Sequence, residues 1–165
     1  MTQALPRIAA VSAVSDTALH VSWKGGGEDV IELAGWIARG SPILEPLKEP
    51  ALFRKPGLTD YDAVVFWGDE NGDLGIDAYH LSLLAGEQRA FEAVDLAAWQ
   101  VKMAVSDEEA ADLLQTSFGQ FKAWKAGTAA VPSQVAMLCR AMARDPLLVQ
   151  AHYQPGKDWL TSGAA

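Results

Sequence analysis

The sequence predicts an α+β fold, with a small N-terminal antiparallel sheet and helices followed by an all-α C-terminal region. Residues 19–24 alternate apolar and polar side chains before three glycines, the pattern of a half-buried strand that enters a turn. Residues 63–67, AVVFW, are apolar on both faces, which is typical of a central strand. Residues 106–127 contain two helix-start signals separated by a very short turn. We therefore expect strands first and helices after them.

The N-terminal half continues with short elements. The strand through Trp23 predicts a hairpin into Asp29–Leu33, and Leu33–Arg39 indicates one or two helical turns that end at Gly40. Prolines then predict an irregular stretch, at positions 42, 46 and 50. Asp77 can cap a helix that ends near Gly86, with an apolar stripe formed by Ala78, Leu81, Leu84 and Ala85.

Charge divides the chain into two parts. The 165 residues carry a formal net charge of −8, with 13 basic and 21 acidic side chains. Residues 1–92 hold 7 of the basic and 14 of the acidic ones, and an acidic surface of this kind repels nucleic acid. We predict an acidic α+β domain at residues 1–90, a helical domain at 91–153 and a flexible tail at 154–165.

Two capping signals define the centre of the helical region. Ser106 with Glu109 forms a capping box, and Ser117 with Gln120 repeats it with a neutral partner. Apolar side chains follow each cap at helical spacing: Ala110, Ala111, Leu113 and Leu114, then Phe121 and Trp124. Gly127 stands where a helix favours a left-handed residue.

Helices are also predicted on both sides of this pair. Leu96, Trp99 and Met103 indicate a preceding helix. Residues 131–133 open a following helix that stops before Pro146, with Val135, Leu138, Cys139 and Met142 on one face.

The C-terminal region resembles the helix-turn-helix of lambda-repressor-like, Cro-type DNA-binding domains. The resemblance rests on one small and three apolar positions, Ala111, Leu114, Phe121 and Trp124, and covers about residues 95–153. It implies a supporting helix at Asp107–Gln115 and a recognition helix at Phe118–Ala126. The turn position usually held by glycine is Gln115 here, which requires a strained or rebuilt turn.

The resemblance also implies a set of DNA contacts and a dimer that reads two half-sites of duplex DNA. Its base readers would be Ser117, Phe118, Gly119, Gln120 and Lys122, and the groups near the phosphates would be Lys125, Thr128 and Ser133. Gln120 suits adenine. The alternative is structural, with Ser117 and Gln120 capping each other and Phe118 in the core or an interface.

The N-terminal half resembles a family of short bacterial α+β domains of unknown function, some of them fused to Cro-type domains. The resemblance covers about residues 6–90 and rests on PRIAAV, LHVSW, IELAGWI, PLKEPALF and VVFWGDENGDLGIDAYHL. It implies a fold and an association with gene-regulatory or toxin–antitoxin proteins, not an activity.

Other site types find little support in the sequence. The acidic residues 69–77 lack the ligand spacing of a calcium loop, and the three histidines are scattered, so we expect no metal, no cofactor and no enzymatic activity. The single cysteine excludes an internal disulfide and fits a cytoplasmic protein, and no apolar run is long enough to span a membrane. Trp36, beside the prolines, is a candidate interface anchor.

Two functions remain open from the sequence. The first is a bacterial, DNA-binding transcriptional regulator that acts as a homodimer, with a possible protein partner on its acidic domain. The second is a protein-interaction module or antitoxin-like partner that keeps the helix-turn-helix fold without binding DNA. Residues 93–153 favour the second on charge, since they hold five basic and six acidic side chains.

Overall fold

The computed structural model describes residues 4–156, and the chain divides into two compact units, Met1–Arg89 and Ala90–Ala165. Antiparallel sheets lie in the first unit, and the described part of the second unit is helical. The predicted α+β fold class is therefore confirmed. The assignment of these units as independent domains stays a prediction. Most of the predicted flexible tail, residues 157–165, lies outside the described residues.

The first sheet is the predicted hairpin extended by one strand. Its strands are β1 (Ile8–Ala13), β2 (Ala18–Trp23) and β3 (Glu28–Glu32), antiparallel in the order β1-β2-β3. Gly26 and Gly27 turn the chain between β2 and β3 at φ of +97° and +86°, a region that glycine enters without a steric penalty. The alternating pattern of β2 places Leu19 and Val21 in the core.

Short helices replace the irregular stretch that the prolines predicted. They are α1 (Ala34–Arg39), a 3₁₀ helix (Pro42–Lys48) and α2 (Pro50–Phe53). Pro42 and Pro50 each occupy a first helical position, where a fixed φ suits the helix and the missing N–H costs nothing. The side chains of Ser41 and Glu49 cap these two starts. The expectation of an irregular stretch was wrong because proline breaks a helix in its interior but is well suited to its first position.

A second sheet holds the apolar strand. Its strands are β4 (Gly57–Leu58), β5 (Val64–Phe66) and β6 (Gly75–Asp77), antiparallel with β5 in the centre. The central place of residues 64–66 is as predicted, but the single N-terminal sheet is corrected to two sheets of three strands. The partners of β5 are its neighbours in sequence, so short local pairings complete this sheet without β1–β3.

Helix α3 (Ala78–Gln88) begins at the predicted cap. The Oδ1 atom of Asp77 accepts a hydrogen bond from the backbone N–H of His80 at 2.8 Å. At the other end, the Gln88 side chain bonds to both the N–H and the carbonyl of Glu32, each at 2.8 Å. These bonds fasten the end of α3 to strand β3.

The second unit consists of helices in its described part. They are α4 (Ala93–Met103), α5 (Asp107–Leu113), α6 (Phe118–Lys125), α7 (Ser133–Arg144) and α8 (Pro146–His152). Their apolar faces form one core of Leu96, Trp99, Ala110, Ala111, Leu113, Leu114, Phe121, Trp124, Cys139 and Met142. The helices predicted around the two capping signals are therefore present.

Candidate nucleic-acid interface

Helices α5 and α6 follow each other across a short turn, at the positions that the two capping signals predicted. Ser106 and Glu109 make both bonds of their capping box, at 3.2 and 2.9 Å, and start α5. Gln115 turns the chain with φ of +53°, and the N–H of Thr116 bonds back to the carbonyl of Ala111 at 2.9 Å. The residue at the glycine position therefore adopts the left-handed conformation itself, as its place in the turn required.

Helix α6 begins with one of the two hydrogen bonds of the predicted second capping box. The Ser117 hydroxyl accepts the backbone N–H of Gln120 at 3.1 Å, and a return bond from the Gln120 side chain is not among the contacts of residues 4–156. A carboxylate accepts such a bond more strongly than a neutral amide does, and this explains why Glu109 makes the return bond whereas Gln120 does not. The Gln120 side chain is consequently exposed to solvent and available to a ligand.

The candidate base readers lie together on the first turn of α6. Ser117, Gly119 and Gln120 are exposed, and Phe118 keeps 47% of its surface exposed. A Cβ atom added to Gly119 would meet nothing within 4 Å, so this turn presents bare backbone. On the opposite side, Phe121 and Trp124 are 0% and 5% exposed and hold α6 in the core. Phe118 is therefore not in the core, and of the two places that the structural alternative gave it, an interface stays a prediction.

Both lysines of α6 are paired with one carboxylate. The Nζ atoms of Lys125 and Lys122 lie 2.7 and 3.3 Å from Oδ1 and Oδ2 of Asp107, the first residue of α5. The buried amide of Gln100 donates to the same Oδ1 at 2.8 Å. The bond from Lys125, then those from Gln100 and Lys122, lower the pKa of Asp107 from 3.8 to about 2.

Sequence reasoning missed Asp107 and Gln100. The available signal was the i, i+3 spacing of Lys122 and Lys125, which places both ammonium groups on one side of α6. The partner acid belongs to another helix, and side chains that meet across a turn show no periodicity in the sequence. Asp107 also reads simply as an acidic residue in the first turn of a helix.

The two remaining candidates flank α6. The Thr128 hydroxyl donates to the carbonyl of Ala123 at 3.1 Å, so it closes the end of α6. Ser133 is exposed at the first position of α7. The candidates from Ser117 to Lys125 thus lie on α6 and its cap, whereas Thr128 and Ser133 lie on the segments that follow it.

The Glu109 carboxylate also holds the segment that follows α8. Glu109 accepts hydrogen bonds from the Ser106 N–H, the Tyr153 hydroxyl and the Gly156 N–H, at 2.9, 2.7 and 2.8 Å. The backbone bond from Ser106 and then the bond from Tyr153 lower the pKa of Glu109. The end of the described chain is thus held at the start of the supporting helix.

In the first unit, Trp36 is half-buried rather than free. Its ring centre lies 6.5 Å from that of Trp67 and 6.2 Å from that of His80. Packing within the unit therefore accounts for this tryptophan, and its role as an interface anchor stays a prediction. Within residues 4–156, no three metal-ligating side chains come together, including the acidic loop at 69–77.

Comparisons with known proteins identify no family. No family model matches the sequence, and no curated protein matches it. The chain is similar to a crystal structure of a "Putative DNA Binding Protein" from Nitrosomonas europaea ATCC 19718, with 17% identity and a TM-score of 0.44 over 86% of this chain and 90% of that one. A likeness at this level says nothing about function. Among the described helices, none has the length and apolarity needed to cross a membrane.

Proposed function

We propose that the C-terminal unit binds duplex DNA through the first turn of α6, as a regulator without a catalytic step. The observation that supports this is the exposure of Ser117, Phe118, Gly119 and Gln120 on a helix whose other side is anchored by buried Phe121 and Trp124. In a helix-turn-helix, the N-terminal residues of the second helix reach base edges in the major groove.

Gln120 is the residue best suited to direct readout. Its side-chain amide offers one donor and one acceptor, which match N7 and N6 of adenine. The cap at Ser117 uses the backbone N–H of Gln120 and not its side chain, so the amide can face a base while the cap stays formed. The bare backbone at Gly119 allows the helix to approach the groove closely.

Charge sets the expected affinity. Asp107 balances part of the positive charge of Lys122 and Lys125, and the whole chain is at −8. Few phosphates would be neutralised, so nonspecific binding should be weak and its salt dependence shallow. Base contacts would then supply most of the discrimination between sequences.

The same pairing favours a second candidate, a protein-interaction module that keeps this arrangement of helices. Lys122 and Lys125 are held by the Asp107 carboxylate, which Gln100 in turn holds in place, so these lysines serve the fold and no phosphate is needed to explain their positions. The exposed Phe118 ring, with the Lys122 ammonium 5.8 Å from its centre, would suit a partner with an acidic rim around an apolar contact.

Fluorescence anisotropy of the full chain with pooled genomic duplexes, at low and then physiological salt, separates the two candidates. For a DNA-binding regulator we expect saturable binding and enrichment of a roughly palindromic sequence among the retained duplexes. Gln120→Ala should then weaken binding to the enriched sequence by 10-fold or more, an order of magnitude that follows from one lost bidentate contact. Gln134→Ala, an exposed glutamine on α7, is the matched control and should bind normally.

Absence of binding even at low salt would reject DNA binding and favour the interaction module. Binding that Gln120→Ala leaves unchanged would reject the assignment of the reading residue. Far-UV circular dichroism of each variant verifies that the helices persist.

A further inference from the structure

Helix α4 carries an apolar stripe on its solvent side. Val94 and Val101 are 71% and 81% exposed, and Ala98 between them is also exposed. The spacing of i, i+4 and i+7 puts the three on one face, opposite the buried Leu96 and Trp99. Nothing in the described part of the second unit covers this stripe, although Leu96 and Trp99 on the inner side of the same helix are in the core.

Two opposite charges flank the stripe on the same side. Lys102 follows Asp95 by seven positions, and Val101 follows Val94 by the same number. The centre of each pair therefore lies within one position of Ala98. Both charges are anchored: the Asp95 Oδ2 atom accepts the N–H of Glu92 at 2.8 Å, and Lys102 donates to the Ala143 carbonyl at 3.3 Å. Each keeps further bonding capacity, since a carboxylate has a second oxygen and an ammonium has three protons.

This pattern is complementary to itself when reversed. If a second copy of α4 lies antiparallel across the first, about a two-fold axis near Ala98, each Val94 meets the partner's Val101. The same register brings each Asp95 within two positions, about 3 Å along the helix axis, of the level of the partner's Lys102, an offset that a lysine side chain spans. The small side chain of Ala98 allows the helices to approach at the centre. A two-fold interface requires such matching of a surface with its own copy.

We propose that the outer face of α4, formed by Val94, Asp95, Ala98, Val101 and Lys102, is the homodimer interface of this protein. The helix is about 16 Å long, so the contact is small and the dimer is weak, with a Kd on the order of micromolar. The proposal does not depend on DNA binding, because it rests on α4 alone.

Sedimentation velocity of the full chain over a concentration series tests this directly. Val94→Glu and Val101→Lys each place a charge against an apolar partner and should weaken dimerisation by 10-fold or more, an order of magnitude typical of an unpaired buried charge. Combining Val94→Glu with Val101→Lys brings opposite charges together across the antiparallel contact and should restore most of the dimer. Glutamate near the N-terminus and lysine near the C-terminus of a helix also suit the helix dipole, so the variants should fold.

Three further variants make the result decisive. Met137→Glu, at a position 64% exposed on α7, is the control and should leave the dimer intact. Ala98→Cys should form an intermolecular disulfide under mild oxidation, whereas Ala130→Cys, in the loop before α7, should not; the native Cys139 is 0% exposed and does not compete.

A wild-type chain that stays monomeric at concentrations up to about 0.5 mM overturns the proposal, since the expected Kd lies well below this. So does a dimer that survives both single charge variants. If the single variants dissociate and the double variant does too, the antiparallel register is wrong.

Discussion

Lys125 and Asp107 form the closest ion pair between the two helices of the turn, with Nζ 2.7 Å from Oδ1. The pair does not stand alone, because Gln100 on α4 donates to the same oxygen. Three helices thus meet at one carboxylate. An acidic residue at this place stabilises the fold and reduces the positive charge of α6, so its replacement should affect both properties.

The first prediction concerns acid stability. Asp107 has a pKa of about 2 in the folded protein against 3.8, so its ionised form stabilises the fold above about pH 4, and this contribution disappears as the pH falls through 2. Asp107→Asn should lower the free energy of unfolding at pH 7 by about 1 kcal/mol, and the difference from wild type should shrink towards pH 2. Urea denaturation followed by far-UV circular dichroism at several pH values measures this.

Asp112→Asn provides the control, because Asp112 is an exposed carboxylate on the same helix. It should change stability little at any of these pH values. If Asp107→Asn and wild type differ equally at pH 7 and pH 2, the carboxylate charge is not what stabilises the junction.

The second prediction uses the same variant in DNA binding. Asp107→Asn removes one negative charge beside α6 and releases Lys122 and Lys125 from their partner. If α6 binds DNA, affinity for duplexes at low salt should rise severalfold and the salt dependence should steepen by about one phosphate contact. Anisotropy titrations at three salt concentrations report the slope.

Asp112→Asn changes the net charge by the same amount without freeing a lysine, so it separates local from global charge. Equal effects of the two substitutions would show that the pairing of Lys122 and Lys125 is irrelevant to binding.

The sequence predicted the helical unit well because its signals are local. The capping box at Ser106, the cap at Ser117 and the apolar spacing through Trp124 each involve residues a few positions apart. The junction at Asp107 could not be found in this way, since Gln100 and Lys125 reach it from two other helices. The second sheet was not predicted as a separate sheet because its strands are only two or three residues long. An alternation of apolar and polar side chains cannot be recognised over so few positions.

The third prediction concerns backbone strain at the turn. Gln115 has φ of +53°, where a residue with a Cβ atom is strained by roughly 1–2 kcal/mol. Gln115→Gly relieves this but adds freedom to the unfolded chain, so the net gain in unfolding free energy should be about 0.5–1 kcal/mol. The urea midpoint should therefore rise.

Ala126→Gly is the opposite control at the end of α6. Ala126 has φ of −81°, where glycine offers no relief, so this substitution should lower stability by up to about 1 kcal/mol. A Gln115→Gly chain that unfolds at lower urea than wild type would show that the turn is held by contacts of the glutamine side chain.

The last prediction separates folding from binding at Gly119. Because an added Cβ would meet nothing within 4 Å, Gly119→Ala should raise the free energy of unfolding by about 0.5 kcal/mol through its effect on the unfolded chain. Gly119→Leu should fold as well, but its side chain would project from the surface that is proposed to enter the groove. The leucine side chain would hold the helix away from the duplex and weaken the contacts around it. Affinity for the enriched duplex should then fall by 10-fold or more, an order-of-magnitude expectation.

Gly86, within α3, is also open around its Cβ position, so Gly86→Leu tests the same substitution in the other unit. It should leave DNA binding unchanged. If Gly119→Leu binds DNA like wild type, the first turn of α6 does not approach the duplex, and the exposed surface there serves another partner or none.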